Sequence, residues 1–389
     1  MSAPSWFADL VFPGSLLLTV GLIAMLTPLA RALGWVDHPS TRKHHPRPVP
    51  LVGGVAMGIA FCVGILLLPD KPHDWRVLLI CTVMLTLLGL YDDLRSSRAS
   101  TRFLFQTAAV LLMALGSDVV LGNLDDLFGL GQFSLGDWAV LFTLFAVVGV
   151  INAFNMIDGL DGLAGGSGLI AAGWLLVLCL STHACGPGDI GALLILAMVI
   201  AGFLVFNLRH PWRARAGIFM GDAGSTMLGF VLSWFLIHLS QGEQAVMTPI
   251  TAVWILALPL LDTLTVMVRR LRSGSNPFAA DRQHLHHLLL GRGLTDGQVT
   301  GVLLALTFLT GGLGVLGDQL DLPCYLGFYA FVALFLLYYR ITTTMLPPPN
   351  SPVTCRDRRR PPRSNDTDKK WNRSLLRLPW IYGNSQKSE

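Results

Sequence analysis

Eleven long apolar runs divide the chain, lying near residues 11–33, 51–69, 76–91, 103–121, 137–154, 163–182, 190–207, 218–239, 247–268, 298–317 and 323–341. Roughly 17–25 apolar residues is the length a helix needs to cross hydrocarbon, and so many such runs leave no room for a sizeable soluble domain. Only 13% of the 389 residues are charged and 52% are hydrophobic, whereas soluble domains carry about 25% charged residues. The expectation is an all-α polytopic membrane protein of about eleven transmembrane helices over residues 1–345. A basic tail follows over 346–389. Its "PPPNSPVTCRDRRRPPRSNDTDKKWNRS" is dense in proline and charge, which predicts disorder and an affinity for anionic lipid beside its part in setting topology.

Counted from the first run, the loops alternate sides. The segments 31–50, 91–102, 208–217, 268–297 and 340–389 hold 26 of the 28 Lys and Arg residues, and only Lys71 and Arg76 fall on the other side. The Lys/Arg bias sets orientation, so the N-terminus is expected outside, in the periplasm, and the tail in the cytoplasm. The opening "MSAPSWFADL" has no basic stretch and no small-residue cleavage site follows the first run, so that run reads as a retained span. Cysteines 62, 81, 179, 185, 324 and 355 show no metal spacing and read as small apolar residues.

Four polar clusters then fall on the cytoplasmic side. "GLYDDLRSSRASTR" carries Asp92 and Asp93, and "NAFNMIDGLDGLAGGSG" carries Asn152, Asn155, Asp158 and Asp161. "GIFMGDAGST" carries Asp222, and "RRLRSGSNPFAADRQHLHH" carries Arg269, Arg270, Arg272, Arg282, His284, His286 and His287. Carboxylates beside hydrocarbon are costly, and adjacent ones repel unless a cation neutralises them. Oxygen ligands without cysteine suit Mg²⁺ or Mn²⁺, which take one or two carboxylates plus phosphate oxygens. Gly221 and Gly224 allow close backbone approach, and the helix start at Asp222 favours phosphate; the bland alternative is a plain N-cap. A second acidic pair, Asp125 and Asp126, lies on the other side with no partner cluster and reads as ordinary loop. The H-x-H-H segment among arginines reads as a phosphate-gripping basic loop rather than a zinc site. "GGSGLIAA" has the look of a dinucleotide fingerprint but lies inside a span, where small residues serve helix packing. The whole suits metal-assisted phosphoryl transfer onto a lipid phosphate. A membrane carrier is the competing class, but carriers place such groups near the midplane with internal repeats, and neither pattern is visible.

These stretches, together with "GWVDHPSTRKHHPRPVPLVGG" and "PLLDTLTVMVRRLRSGSNPF", resemble in order and spacing the polyprenyl-phosphate N-acetylhexosamine-1-phosphate transferases over residues 34–290. "HLHH" favours the branch that transfers N-acetylglucosamine. The resemblance implies an enzyme of the bacterial cytoplasmic (inner) membrane with its site facing the cytoplasm. It implies transfer of N-acetylglucosamine-1-phosphate from UDP-N-acetylglucosamine to undecaprenyl phosphate, with release of UMP. The product would begin O-antigen or a related surface polysaccharide; another UDP-N-acetylhexosamine is the alternative donor. By the same resemblance, Asp222 and Asn155 would hold Mg²⁺ or Mn²⁺, and Asp92, Asp93, Asp158 and Asp161 would be catalytic, the last two also shaping the nucleotide site. Asn152, Arg270, Arg282, His284, His286 and His287 would bind substrate. The expected partners are the UDP-sugar, undecaprenyl phosphate, membrane lipid and a second copy of the chain; nucleic acid is not expected. Two departures stand out. "DDLRS" puts Ser96 where the pattern usually has a third carboxylate, and Ser100 stands where a lysine is common before Gln106, leaving Arg98 or Arg102 to supply that charge.

Overall fold

In the computed structural model the described residues are 5–39, 47–95, 97–209, 213, 215–275 and 283–346. Every apolar run is helical. In order they are α1 (Ser5–Leu33), α2 (Gly53–Leu67), α3 (Trp75–Arg95), α4 (Ala99–Ser117), α5 (Ala139–Ile157), α6 (Leu163–Thr182), α7 (Pro187–Asn207) and α8 (Gly221–His238). Then come α9 (Pro249–Ile255), α10 (Ala257–Arg272), the short α11 (Leu285–Gly291), α12 (Asp296–Gln319) and α13 (Cys324–Thr344). Two short strands, Val36–Asp37 and Val49–Pro50, pair antiparallel within the α1–α2 connection.

Among the described residues eight helices are long and apolar enough to cross a membrane, or nine if α9 and α10 count as one. That is a polytopic membrane protein, but eleven spans are not reached by length and composition. Two runs fall short for different reasons. The α2 helix is fifteen residues long. The α8 helix is polar at its head, and it is buried without interruption from Ala223 through Ile237. A helix ringed by other helices need not match the apolarity of a lipid-facing one. The run 247–268, expected as one span, breaks at Leu256 with α9 and α10 at 82°. Pro259, in the first turn of α10, has no N–H to bond the carbonyl four residues back and crowds it with its ring.

The α8 helix lies among α2, α3, α5 and α6, and two glycines set how closely. A Cβ on Gly54 would stand 2.0 Å from the backbone nitrogen of Gly224, and one on Gly89 would stand 2.3 Å from the Ala223 Cα. Only residues without side chains permit these crossings, which bring the start of α2 and the end of α3 onto the head of α8. The glycines of "GGSGLIAA" do serve packing: Gly165 meets Phe203, Gly166 meets Leu304 and Gly168 meets Leu228. Large side chains such as Leu104, Leu115 and Phe145 are exposed on the outer helices, forming an apolar belt far larger than a soluble monomer shows.

The far end of the bundle corrects one expectation. Cys179 and Cys185 form a disulfide joining the end of α6 to the α6–α7 loop, so these two are not mere apolar filler. Cys81 and Cys324 are free and buried, as that reading has it. Lys71 and Arg76, the two isolated cations, both have local tasks. Lys71 Nζ donates to the carbonyls of Ile65 at 3.0 Å and Leu66 at 2.7 Å, satisfying acceptors that a helix end leaves open. Arg76 lies over the Trp75 ring at 5.2 Å.

Candidate active site

The site grows from the head of α8. Gly221 has φ +70°, which turns the chain so that the first amides of α8 face α3. Asp93 takes them: Oδ1 accepts from the Asp222 N–H at 2.8 Å and Oδ2 from the Ala223 N–H at 3.3 Å. A carboxylate there meets both the open amides and the helix dipole. Asp93 therefore holds the α8 head in register with α3.

Asp222 itself points at Asn155 and Arg102. Asn155 Nδ2 donates to its Oδ1 at 2.5 Å and to Ser225 Oγ at 3.1 Å. The Asp92 carboxyl group shares the Arg102 guanidinium with Asp222. Arg102 Nη1 lies 3.2 Å from Asp92 Oδ2 and 3.7 Å from Asp222 Oδ2. Of the two arginines left to supply the missing positive charge, Arg102 is the one placed against the carboxylates, while Arg98 is exposed at the start of α4. Ser100 is exposed in the first turn of that helix, and Ser96 lies outside the described residues.

The "DGLDG" turn closes the α5 side. Asp158 follows the last residue of α5 and keeps partial solvent access although protein surrounds it. Burial, then the charges of Asp222, Asp93 and Asp161, push its carboxyl well above the usual carboxylate range. Asp161, three residues on, has a different setting. Its Oδ2 accepts from Arg209 Nε at 2.7 Å and the Ala216 N–H at 3.0 Å, and Arg209 reaches on to Asp296 at 2.7 Å. That ion-paired junction ties the turn to α12. Asn152 donates to Gln106 Oε1 at 3.1 Å and to the Val148 carbonyl, linking α5 to α4.

The histidine segment touches this turn from outside. A Cβ on Gly159 would lie 2.7 Å from His286 Nε2. His286 is buried, and burial with the neighbouring His287 and His284 pulls its pKa down to about 3. It is therefore neutral at physiological pH, and the positive charge of the segment comes from its arginines. His287 is half-buried with its ring 4.1 Å from that of His286. His284 Nδ1 faces Asp262 Oδ2 at 2.8 Å. Arg269 is buried and donates to the Gln283 carbonyl at 3.0 Å, fastening the segment to α10, and Arg270 is buried one position on. Arg282 lies outside the described residues.

Asp92, Asp93, Asn155, Asp158 and Asp222 thus converge from α3, α5 and α8, with Arg102 as the guanidinium brought among them. The donor set is wholly oxygen, which fits a hard divalent ion. Half a turn of the Asn155 amide exchanges donor for acceptor, so it can meet Asp222 as a donor or stand beside it as an oxygen ligand. Among the described residues no three acidic or histidine side chains form a ready cage. A Mg²⁺ that keeps waters and takes phosphate oxygens does not need one.

Asp262 and Tyr338 were not singled out as site residues from the sequence. A lone carboxylate inside "PLLDTLT" was the available signal for Asp262, because an unpartnered one would be costly there.

Comparison with known proteins agrees in extent with these elements. The description of glycosyl transferase family 4 matches residues 75–240, which run from α3 through α8. Undecaprenyl-phosphate alpha-N-acetylglucosaminyl 1-phosphate transferase of Yersinia pestis is 35% identical over 325 residues, 83% of this chain and 88% of the relative. The proteins of that name from Pasteurella multocida and Salmonella typhi are 36% and 37% identical, covering 82% and 83% of this chain and 89% and 87% of theirs.

Proposed function

The chain belongs to the undecaprenyl-phosphate alpha-N-acetylglucosaminyl 1-phosphate transferases of glycosyl transferase family 4, and from that membership we propose how its site carries out the transfer. A phosphate oxygen of undecaprenyl phosphate attacks the sugar-linked phosphorus of UDP-N-acetylglucosamine. The bond from that phosphorus to the bridging oxygen breaks, and UMP leaves with that oxygen. The product is a lipid diphosphate sugar, suited to start an O-antigen or similar polysaccharide.

The observation that carries this reading is the meeting of Asn155 and Arg102 with Asp222 at the head of a buried helix, with Asp92 paired to the same guanidinium. Asp222 and Asn155 would hold Mg²⁺ or Mn²⁺, which when bound neutralises charge on the transferring phosphate. Asp93 fixes the α8 head, and Asp92 with Arg102 orients the group around it. Asp158 offers a partly exposed carboxylate beside the glycine-bearing "DGLDG" turn, where a nucleotide can approach. Positioning and charge neutralisation of this kind carry most of the catalysis of phosphoryl transfer.

The Lys/Arg asymmetry supports a site facing the cytoplasm, and so does the disulfide. Cys179–Cys185 lies at the end of α6 away from the acidic group, and disulfides persist in oxidising compartments such as the periplasm. The break at Leu256 does not favour a carrier, because the acidic group sits at the ends of α3, α5 and α8 instead.

The test is to incubate the purified chain with labelled UDP-N-acetylglucosamine, undecaprenyl phosphate and Mg²⁺ or Mn²⁺. UMP and a lipid-linked sugar should appear together, and excess chelator should stop both. Asp222→Asn should lower turnover by orders of magnitude with protein level unchanged. Wild-type turnover in that variant, or full activity in chelator, would overturn the metal assignment.

A further inference from the structure

The carboxylate of Asp262 is 3% exposed on α10, and the acidic group at α8 does not use it. Three donors converge on it. Oδ2 faces His284 Nδ1 at 2.8 Å, while Oδ1 accepts from the Leu285 N–H at 2.8 Å and from the Tyr338 hydroxyl of α13 at 2.9 Å. His284 is itself 6% exposed. Its ring lies near-parallel to that of His286, centroids 5.9 Å apart, and His286 in turn abuts Gly159. A continuous set of contacts therefore runs from the last helix to the "DGLDG" turn.

An ionised carboxylate only accepts hydrogen bonds. Against it, His284 must carry a proton on Nδ1. A phosphate oxygen meeting Nε2 from the other edge would then hold the ring as an imidazolium between two anions, the charge-assisted and stronger form of the contact. We infer that Asp262 is a positioning residue that sets the orientation and proton of His284 for the nucleotide-sugar diphosphate, with Tyr338 holding the carboxylate in place. The inference rests on the transferase reading.

Asp262→Asn separates charge from shape. Its amide oxygen can keep Leu285 and Tyr338, which places the NH₂ opposite His284 Nδ1 and moves the ring proton to Nε2. The experiment is a double-mutant cycle of Asp262→Asn and His284→Gln in the full chain. It reads kcat, KM for both substrates, and Kd for UDP by calorimetry. Each single change should raise KM for UDP-N-acetylglucosamine and Kd for UDP about tenfold, with KM for undecaprenyl phosphate unchanged. The double variant should be no worse than His284→Gln alone. Unchanged KM and Kd, fully additive losses, or a fall in kcat alone with both KM values constant would each overturn the inference. If Asp262→Asn does not accumulate, Tyr338→Phe leaves the carboxylate in place. A several-fold rise confined to the nucleotide-sugar KM then supports the inference, and a wild-type KM overturns it. Should the wild type turn over no UDP-N-acetylglucosamine, the cycle read in UDP affinity still decides on Asp262, so the two failures are distinguishable.

Discussion

Asp158 and Asp125 are both aspartates in acidic, glycine-bearing loops, and their surroundings set them apart. Asp125 accepts the Asp126 N–H at 2.8 Å and shapes its own turn at φ 56°. Asp158 faces Asp222 and Asp93 with its carboxyl pushed above its ordinary range. A carboxyl raised in the fold loses stability as pH climbs from its unfolded value through the raised one. At neutral pH without metal, ionised Asp158 therefore works against folding. Asp158→Asn should melt no lower than wild type in chelator, yet lose at least tenfold in turnover, about 1.4 kcal/mol of transition-state stabilisation. Asp125→Asn should keep its turnover. A melting scan and a UMP-release assay check both, and equal losses at the two positions would refute the sidedness of the site. The clustering of Asp92, Asp158 and Asp222 was legible because carboxylates are rare in this chain and fell on one side. The different settings of Asp158 and Asp161 were not, since Arg209 and Ala216 reach Asp161 from a different loop.

At the scale of elements, apolar run length located the long helices but neither the short α11 nor the break within the ninth run. Pro259 was in view, yet prolines are tolerated in membrane helices where neighbours satisfy the freed carbonyls, as Pro13 and Pro28 are in α1. The six-residue spacing of Cys179 and Cys185 was equally visible and was outweighed by their placement near a span. Their disulfide closes a short loop, so losing it should cost about 2 kcal/mol by loop-closure entropy. Replacing both with serine should lower the denaturant midpoint accordingly while kcat stays at the wild-type value. Alkylation before and after reduction would show the pair oxidised in the wild type; free thiols in protein prepared from cells would contradict it.

At the scale of the whole molecule, the membrane bundle was legible from composition, and the centrality of α8 was not. A helix wrapped on all sides shows no lipid-facing stripe, and its glycine contacts depend on which neighbours arrive. The expectation of eleven spans with a cytoplasmic tail makes a direct prediction. Reporter fusions after residues 130 and 185 should be active only for a periplasmic reporter, and one after 345 only for a cytoplasmic reporter. Cytoplasmic activity at 130 or periplasmic activity at 345 would separate clusters that the structure brings together.

The fifteen residues of α2 also bear on the lipid around the protein. At 1.5 Å per residue the helix is about 22 Å long, against roughly 30 Å of hydrocarbon. Its outward Ile59, Leu66 and Leu67 therefore face a bilayer thicker than they can cover, and such mismatch is relieved by local thinning. Because the first turn of α2 is the one pressed against the head of α8, the thinned patch adjoins the site. Turnover is therefore expected to vary with the acyl-chain length of the surrounding vesicle, and equal rates across thin and thick bilayers would show that this mismatch has no bearing on the site.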